Sequence, residues 1–570
     1  MSKTFKTYWA WIIVAALCAA YVPYFGTRYI RTGGDEKVYV NQAMEMAQDG
    51  RWFVQTINGK PAYYKGPLHY VLVQAGAKVF GRTPWAVLYM NLAFALLGAI
   101  ALGAIVRRRL PEWDEGPVWT GIGFGLCVGI YAHSFASQME VELAGTFALA
   151  LYLLDGLEPE DDGFWFWIVA GFAGWIKAPL HSAFLGVTAL AYWLLTGELF
   201  LRLKRPRAWL AVFTGIFVGV AGYLPAYFAD QKNFVEQFII KEIYQKTTTW
   251  QSVWTPIAST YGFYLFPWLL LAGVAYLQGL WQLPSYLKDR STRRLLTLIV
   301  CFCLPSLLFF IYHPYRFENY NIPSISAVFL LLGLIWSRRT RLFEWLYGIG
   351  FAITGLLLIG FAAFVTILYF RFSPMPVWWP NWLLPVIWLG ALIAAYVFIR
   401  YGLMDKGRRP GHVALAAVAV YWALGGFFSV LGEREMFDIR AYLKNANAQG
   451  QTVRLAYFNL MGNIWSEWGL LNFWVDRPVR GIFTPEKLSE AIEQGDTILV
   501  PSGEGYEEFT KFVQKAYPDW KFTYTRWKRW KTHGNQDTGQ PLWKEGWERR
   551  DLTIFERDFM IIKPEGKLPG

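Results

Sequence analysis

The sequence predicts an α-helical polytopic membrane domain over residues 1–431, followed by a soluble α/β domain over residues 432–570. Of the 570 residues, 55% are hydrophobic and 17% charged, whereas soluble domains are roughly 45–50% apolar. Long apolar stretches dominate residues 8–431 and then stop, and the tail alternates strand-like and helix-like segments. Because spans of about 20 apolar residues need lipid around them, the first part belongs in a bilayer.

Apolar runs predict thirteen membrane spans. They cover residues 8–25, 84–106, 117–133, 139–156, 163–178, 180–198, 208–228, 256–280, 295–312, 321–337, 346–370, 381–401 and 412–431. Residues 67–80 are apolar but too short to cross, so we expect an interfacial helix there. The first segment also fits a cleaved signal peptide, although no clear small-x-small cleavage site follows it. In both cases the next loop is external.

The net charge of +12 arises largely from short basic loops rather than from one basic surface. These loops contain Lys3 and Lys6 and residues 107–109, 202–207, 288–294, 338–341 and 406–409. The positive-inside rule places nearly all of them in the cytoplasm, and the odd span count places the tail outside. We therefore expect a bacterial inner-membrane protein with a periplasmic C-terminal domain and no nucleic-acid partner. All four cysteines fall in apolar segments, which favours packing over disulfides or metal binding.

Two external segments before the tail, 27–83 and 229–255, are longer than simple turns require. In the first, Val40, Met44 and Ala47 recur at helical spacing. In the second, KNFVEQFIIKEIYQK is expected to bring its apolar residues onto one face. Those residues are Phe234, Phe238 and Ile239. Both patterns predict helices lying flat on the membrane surface.

The tail predicts a small α/β domain. The expected strands are 453–458, 497–501, 521–530 and 552–563, and the expected helices are 465–475, 484–494 and 504–516. Its tryptophans are expected mainly in the core, with stacking on sugar rings as the alternative. They are Trp520, Trp527, Trp530, Trp543 and Trp547.

Carboxylates occur at two external positions where they could act chemically. Asp35 and Glu36 precede the first surface helix, where Asp35 could cap the helix or deprotonate an acceptor hydroxyl. Glu140 and Glu142 begin the fourth span, and ionisable groups at membrane depth are functional candidates. The alternative for both glutamates is an interfacial position in contact with water.

Two basic motifs share one design, Lys65-Gly66-Pro67 and Lys177-Ala178-Pro179. Each places a lysine and a proline at an external helix start, where free N–H groups and the helix dipole attract anions. The pair therefore predicts a phosphate site, with snorkelling lysines as the alternative. Lys246 and Arg316 are further external cations. The histidines near this face are expected to be polar interface residues rather than zinc ligands: His69, His181 and His313.

With these motifs the chain resembles GT-C-fold membrane glycosyltransferases, specifically the bacterial lipid A aminoarabinose transferases (ArnT-like) and the related protein O-mannosyltransferases. The best local match is GGDEKVYVNQAMEMAQDGRWFVQTINGKPAYYKGPLHYVL, which is similar to the first external loop of that family. The resemblance implies thirteen spans, a periplasmic α/β domain, and sugar transfer from a polyprenyl (undecaprenyl) phosphate donor. A lipid or glycan would be the acceptor, and we expect a monomer.

The resemblance also implies roles for individual residues. The catalytic base falls on Asp35 with Glu36 beside it, and a second acid falls on Glu140, where relatives usually have aspartate. The implied phosphate-binding cations are Lys65, Lys177, Lys246 and, by position, Arg316. Among the expected substrate contacts, the resemblance implies Tyr320, in a tyrosine–x–x–proline motif that ends at Pro323. Tyr64, His69 and Glu142 are expected there from their positions near the same face.

The chain departs from that family at positions that concern a metal. Its members carry a glutamate metal ligand just before the loop lysine, where this chain has Tyr64, and a histidine that aligns with Glu242. We therefore expect no metal and no other cofactor. The sugar stays open, as does the choice between a lipid acceptor and protein O-glycosylation. A membrane transporter is the rival class, but it would predict internal repeats and broken helices at the midplane.

Overall fold

The computed structural model describes most of the chain. The described residues are 2–25, 35–244, 254–312, 318–371, 382–404, 412–422, 437–450, 452–460, 462, 468–475, 477–501, 503–530, 547–550 and 556–567. Up to residue 422 they are mainly helical. The helices are α1 Ser2–Phe25, α2 Glu36–Gln48, α3 Leu68–Phe80, α4 Trp85–Arg109, α5 Gly116–Gly125, α6 Val128–Ser134, α7 Glu140–Asp155, α8 Phe164–Ile176, α9 Pro179–Thr196, α10 Leu199–Leu203, α11 Pro206–Ala221, α12 Leu224–Ala229, α13 Gln231–Phe234, α14 Trp254–Tyr261, α15 Leu269–Lys288, α16 Arg290–Tyr312, α17 Ile325–Ser337, α18 Arg341–Arg371, α19 Leu383–Leu403 and α20 His412–Trp422. A π-helical segment covers Val235–Tyr244, and 3₁₀ turns cover Phe263–Leu265 and Glu318–Ser324.

Among the described residues, six helices are long and apolar enough to cross a membrane, and a bent pair would make a seventh. They are Thr7–Phe25, Trp85–Arg109, Pro179–Thr196, Tyr320–Ser337, Arg341–Arg371 and Leu384–Leu403. Helices α8, α11 and α20 are apolar but shorter. Within the described residues the predicted spans fall on helical segments, and the total of thirteen stays a prediction.

Three predicted spans are not continuous helices, and one of them, 208–228, divides into α11 and α12. Segment 256–280 bends by 117° between Ile257–Leu265 and Leu269–Lys288, next to Pro267, which has no N–H to donate to a helical hydrogen bond. Segment 117–133 divides into α5 and α6, and Cys127 between them is extended. The apolar runs in the sequence do not reveal these three interruptions.

Ion pairs show which helix ends lie at the same end of the bundle. Arg109 at the end of α4 is paired with Asp155 at the end of α7 at 2.7 Å. Glu198, just after α9, is paired with Arg202 and with Arg294 near the start of α16. The opposite ends of α4, α7 and α9 carry Trp85, Glu140 and Pro179. Arg109, Arg202 and Arg294, each from a predicted basic loop, therefore lie at the end of the bundle opposite to these candidate-site residues.

Helices form in both predicted surface segments, and a position flat on the membrane surface stays a prediction. Helix α3 forms over the expected residues and packs closely on α4, since a side chain at Gly76 would lie 2.1 Å from the Ala86 carbonyl oxygen. Phe234 and Phe238 are buried in a cluster with Tyr63. Ile239, expected on the same face, is 42% exposed. The π-helical winding changes the residues per turn, so the 3.6-residue spacing behind the prediction fails.

The C-terminal region contains a five-stranded sheet. Its strands are β3 Leu455–Phe458, β4 Val479–Ile482, β5 Thr497–Pro501, β6 Trp520–Trp530 and β7 Glu556–Lys567. The numbering begins with a separate two-stranded hairpin between α2 and α3, formed by β1 Thr56–Ile57 and β2 Lys60–Pro61. The order is β4-β3-β5-β7-β6, with parallel β3–β4 and β3–β5 pairs and antiparallel β5–β7 and β6–β7 pairs. Its helices are α21 Phe437–Ala448, α22 Trp468–Trp474, α23 Pro485–Glu493 and α24 Glu504–Ala516.

Most of the predicted tail elements form, and two elements were missed, α21 and β4. Side chains of α23 and α24, including Leu488 and Phe509, pack against the sheet. Trp520 packs on this core as expected, whereas Trp547 is 39% exposed beneath the guanidinium of Arg371. Of the other three tryptophans, Trp543 lies outside the described residues, as do the side chains of Trp527 and Trp530.

Candidate functional site

Asp35 stands at the start of α2 but does not cap it, because its side chain bonds no backbone N–H of the helix. Instead its Oδ2 accepts hydrogen bonds from the hydroxyls of Tyr39, at 3.1 Å, and Tyr64, at 3.4 Å. Asp35 therefore occupies the predicted capping position, but the predicted hydrogen bond to the helix backbone does not form. Since both phenols donate to Oδ2, Oδ1 is the oxygen that no described residue engages.

Tyr39 lies close enough to both Asp35 and Glu140 for their charges to affect its pKa. Burial first, and then the negative charges of Asp35 and Glu140, raise the pKa of the Tyr39 phenol well above its ordinary value. The hydroxyl consequently stays protonated at neutral pH and keeps donating to Asp35. Sequence reasoning missed Tyr39, although its i+4 spacing from Asp35 on a helix was an available signal.

Glu36 is fully buried and points elsewhere. Its Oε1 accepts a hydrogen bond of 2.6 Å from the side-chain amide of Gln138, which lies just before α7. The structure therefore places the predicted companion of Asp35 in the packing between α2 and α7.

The two lysine motifs meet in space. The Gly66 N–H donates to the Lys177 carbonyl oxygen at 2.9 Å. A Cβ at Gly66 would lie 2.1 Å from the Trp175 carbonyl oxygen, so only glycine allows this approach. Pro179 takes the first helical position of α9 as expected, whereas Pro67 precedes the first residue of α3. Motifs 112 residues apart thus form one site.

Lys177 has a carboxylate partner that the sequence did not reveal. Its Nζ lies 2.7 Å from Glu140 Oε1 and 4.1 Å from the ring centroid of Tyr320. Lys177 is 8% exposed and Glu140 3%, so the pair is shielded from water. A buried charge has to be paired, and here carboxylate and aromatic face share that task.

Lys65 is the second buried ammonium of the site, 7% exposed, with Nζ 3.9 Å from the Tyr64 ring centroid. Its backbone is held by Gln55, whose side-chain amide donates to the Lys65 carbonyl oxygen at 2.8 Å and accepts from the Tyr64 N–H at 3.2 Å. His181 lies beside the other lysine, with Nδ1 donating to the Ala178 carbonyl oxygen at 3.1 Å.

His69 and Glu142 form a separate, closed pair. His69 Nδ1 lies 2.6 Å from Glu142 Oε1, and Nε2 lies 2.9 Å from Ser137 Oγ. All three residues are fully buried. A serine–histidine–glutamate order would suit nucleophilic catalysis only if substrate reached the serine. In this conformation the group instead ties α3 to α7 behind the site.

Some predicted positions lie outside the described residues. They are Lys246, Arg316 and His313, together with the side chain of Glu242. The roles assigned to Lys246 and Arg316 stay predictions.

The residues present do not fit the divalent metal that the resemblance implies. Tyr64, at the ligand position, donates its hydroxyl to Asp35 and stacks beneath the Lys65 ammonium. A protonated phenol is a weak ligand and an ammonium repels a divalent cation. Such a cation favours deprotonated oxygen, nitrogen or sulfur donors. Within the described ranges, no three His, Cys, Asp or Glu side chains converge as ligands.

Comparison with solved structures confirms the predicted resemblance in fold. The chain is similar to the crystal structure of ArnT from Cupriavidus metallidurans bound to undecaprenyl phosphate, with a TM-score of 0.62, 16% identity and 97% of each chain covered. It is also similar to the apo state of that protein, with a TM-score of 0.61, 18% identity and 97% of each chain covered. No protein-family model and no curated protein matches the sequence. At this identity the likeness concerns the fold.

Proposed function

We propose that this protein is a glycosyltransferase that moves a sugar from a polyprenyl-phosphate donor, such as undecaprenyl phosphate, to a hydroxyl of a lipid or glycan acceptor. One observation carries the proposal. Asp35, with one oxygen unengaged by the described residues, shares one end of the bundle with the buried ammonium groups of Lys65 and Lys177. A base for the acceptor and cations for the leaving group are what such a transfer requires.

The reaction is a single displacement that inverts the anomeric carbon. Asp35 takes the proton of the acceptor hydroxyl as the acceptor oxygen bonds to the anomeric carbon. The bond from that carbon to the phosphate oxygen breaks, and its electron pair leaves with the polyprenyl phosphate. General-base help of this kind contributes about 10²–10⁴-fold to the rate.

The lysines stabilise the charge that develops on the departing phosphate. Removing one preorganised donor typically costs about 10²–10³ in kcat. Lys177 meets the phosphate while still bonded to Glu140, so we assign Glu140 the task of holding and partly neutralising this lysine. Lys246 and Arg316 are proposed as further phosphate contacts, and Tyr64 and Tyr320 as residues that line the substrate site. His69 and Glu142 are proposed to support that site by holding α3 against α7. Glu36, which accepts a hydrogen bond from Gln138, is proposed to hold α2 against α7 and so to support Asp35 through the helix.

Two considerations support a carrier lipid as donor, and a third concerns the side of the membrane. The similar solved structure is that of a protein bound to undecaprenyl phosphate. The site lies at the end of apolar helices, where the head group of a membrane lipid would reach it. The opposite end of the bundle carries the basic clusters, which favours a periplasmic site in an inner-membrane protein. We further propose residues 1–431 as the catalytic membrane domain, 432–570 as a periplasmic domain, and a monomeric protein.

The test is transfer by the purified protein in nanodiscs, with a panel of labelled undecaprenyl-phosphate sugars and with lipid A or a peptide as acceptor. Asp35→Asn should reduce transfer at least a hundredfold while carrier-lipid binding persists. Asp49→Asn is the matched control, because Asp49 is exposed at the other end of the same helix. Near-normal turnover by Asp35→Asn would remove Asp35 as base. Uptake of a soluble solute without any transfer would favour the transporter instead.

A further inference from the structure

Helix α22 of the C-terminal region lies directly against α2, the helix that begins next to Asp35. The Gly469 N–H donates to Asn41 Oδ1 at 2.7 Å, and both residues are buried. A Cβ at Gly469 would lie 2.6 Å from Asn41 Oδ1 and 2.7 Å from the Asn41 backbone nitrogen. The two helices therefore touch backbone to backbone, and this closeness depends on glycine.

The hairpin β1–β2 provides a second connection. Asn58 and Gly59 form its two-residue turn with φ of 54° and 73°, the conformation that Asn-Gly turns favour. The Asn58 side-chain amide donates to the Gly462 carbonyl oxygen at 2.8 Å. On its other side, the Gly59 N–H donates to Glu45 of α2 at 3.1 Å. The hairpin is thus held between α2 and the C-terminal region.

Helix α22 is itself anchored firmly enough to act as a support. The fully buried Trp468 donates its indole N–H to the Val479 carbonyl oxygen at 2.7 Å. The Asn472 side-chain oxygen accepts from the Val479 N–H at 2.9 Å and also from Arg82, which lies between α3 and α4. These hydrogen bonds connect the five-stranded sheet, through α22, to the segment between α3 and α4 of the helical bundle.

Asn41 and Asp35 are six residues apart, about 9 Å along the helix axis. Because a helix moves as a stiff body over two turns, a displacement at Asn41 reaches Asp35. We infer that α22 of the C-terminal region positions α2 so that Asp35 faces the two lysines, with Gly469 as the positioning residue. This inference rests on the proposed function, and it gives the C-terminal region a part in turnover without contact with substrate.

The size of the effect follows from the contact. An alanine at Gly469 needs about 0.8 Å of extra separation to reach ordinary van der Waals distance from Asn41. Misplacement by about 1 Å can cost a factor of roughly 10² in rate. We expect Gly469→Ala to lower kcat about 10–100-fold and to leave KM for the donor unchanged, because the lysines are not on α2. Asn41→Ala, which removes the hydrogen bond without a clash, should lower kcat about 3–10-fold.

The experiment compares both variants with wild type and with Gly505→Ala in nanodiscs. Gly505 is a helical glycine of the same region whose added Cβ would lie 3.6 Å from its nearest neighbour, so this control should behave as wild type. The kinetic readouts are kcat and the KM values for donor and acceptor. Hydrogen exchange of the 36–48 amides is measured in parallel, and it should quicken in Gly469→Ala and Asn41→Ala only.

Wild-type kcat and exchange in both variants would overturn the inference and leave the proposed function standing. A raised acceptor KM with normal kcat would also overturn it, since that result assigns the region to acceptor binding. If wild type transfers no sugar, the proposed function fails. The exchange measurement then still decides whether α22 supports α2.

Discussion

Replacing Lys177 with methionine should both destabilise the protein and stop transfer, because this lysine is paired with a carboxylate and is proposed to bind phosphate. The pair is short, at 2.7 Å, and both residues are more than nine-tenths buried. Removing one partner of such a pair leaves an uncompensated buried charge and typically costs about 3–5 kcal/mol. We expect Lys177→Met to lose stability of that order.

The double variant Lys177→Met/Glu140→Gln separates the two effects. Removing both charges eliminates the stranded carboxylate, so most of the lost stability should return. Activity should not return, because the phosphate still lacks its cation, and kcat should stay down about 10²–10³-fold. The single variant Glu140→Gln leaves the Lys177 ammonium buried without its carboxylate, so it should also lose stability. It should retain turnover and bind the carrier phosphate more tightly, since the ammonium is less neutralised.

The assay is a double-mutant cycle of unfolding in detergent, combined with transfer kinetics in nanodiscs for all four proteins. A double variant no more stable than Lys177→Met would show that the Glu140 contact contributes little. Turnover near wild type in Lys177→Met would refute the role of Lys177 in stabilising the leaving phosphate, whatever the stability data show.

Two further predictions concern the neighbours of these residues. Tyr39→Phe removes the shorter hydrogen bond to Asp35, a bond to a charged group worth roughly 1.5–3 kcal/mol. We therefore expect kcat to fall about 10–100-fold. Unchanged kinetics would show that Tyr39 does not orient the base. Gly66→Ala forces a Cβ to within 2.1 Å of the Trp175 carbonyl oxygen and should lower the melting temperature by several degrees or prevent folding. Gly273→Ala, with nothing within 4 Å of its added Cβ, should melt like wild type, and equal melting of both variants would contradict the described packing.

Most elements of the fold were predictable because their signals are local. Apolar runs of span length, short basic loops and turn residues each act within a few residues of themselves. Predictions failed where tertiary packing decides the outcome. The bend next to Pro267 and the break at Cys127 interrupt helices inside continuous apolar runs. The buried strand β4 has only four residues and lacks a clear alternating pattern, so only its pairing with β3 defines it.

For the candidate site, the sequence identified types of residue better than their partners. Asp35, Lys65, Lys177 and Glu140 stood out from their positions at the ends of predicted helices. The environment of Asp35 was only partly visible in the sequence, because Tyr39 is four residues away on the same helix but Tyr64 approaches from 29 residues away. The predicted cap failed for the same reason, since the two phenols engage the side chain that would otherwise bond the helix N–H groups.

By itself the sequence determined that the chain contains apolar helices long enough to cross a membrane, which helix ends carry acids and lysines, and that an α/β region follows. These properties depend on the composition and periodicity of short segments. Only the tertiary structure decided that Lys177 pairs with Glu140, that Gly66 brings the two lysine motifs together, and that Gly469 supports α2. Such contacts join residues 37 to 428 positions apart. They form only after helix packing has set the distances between backbones, which no single segment encodes.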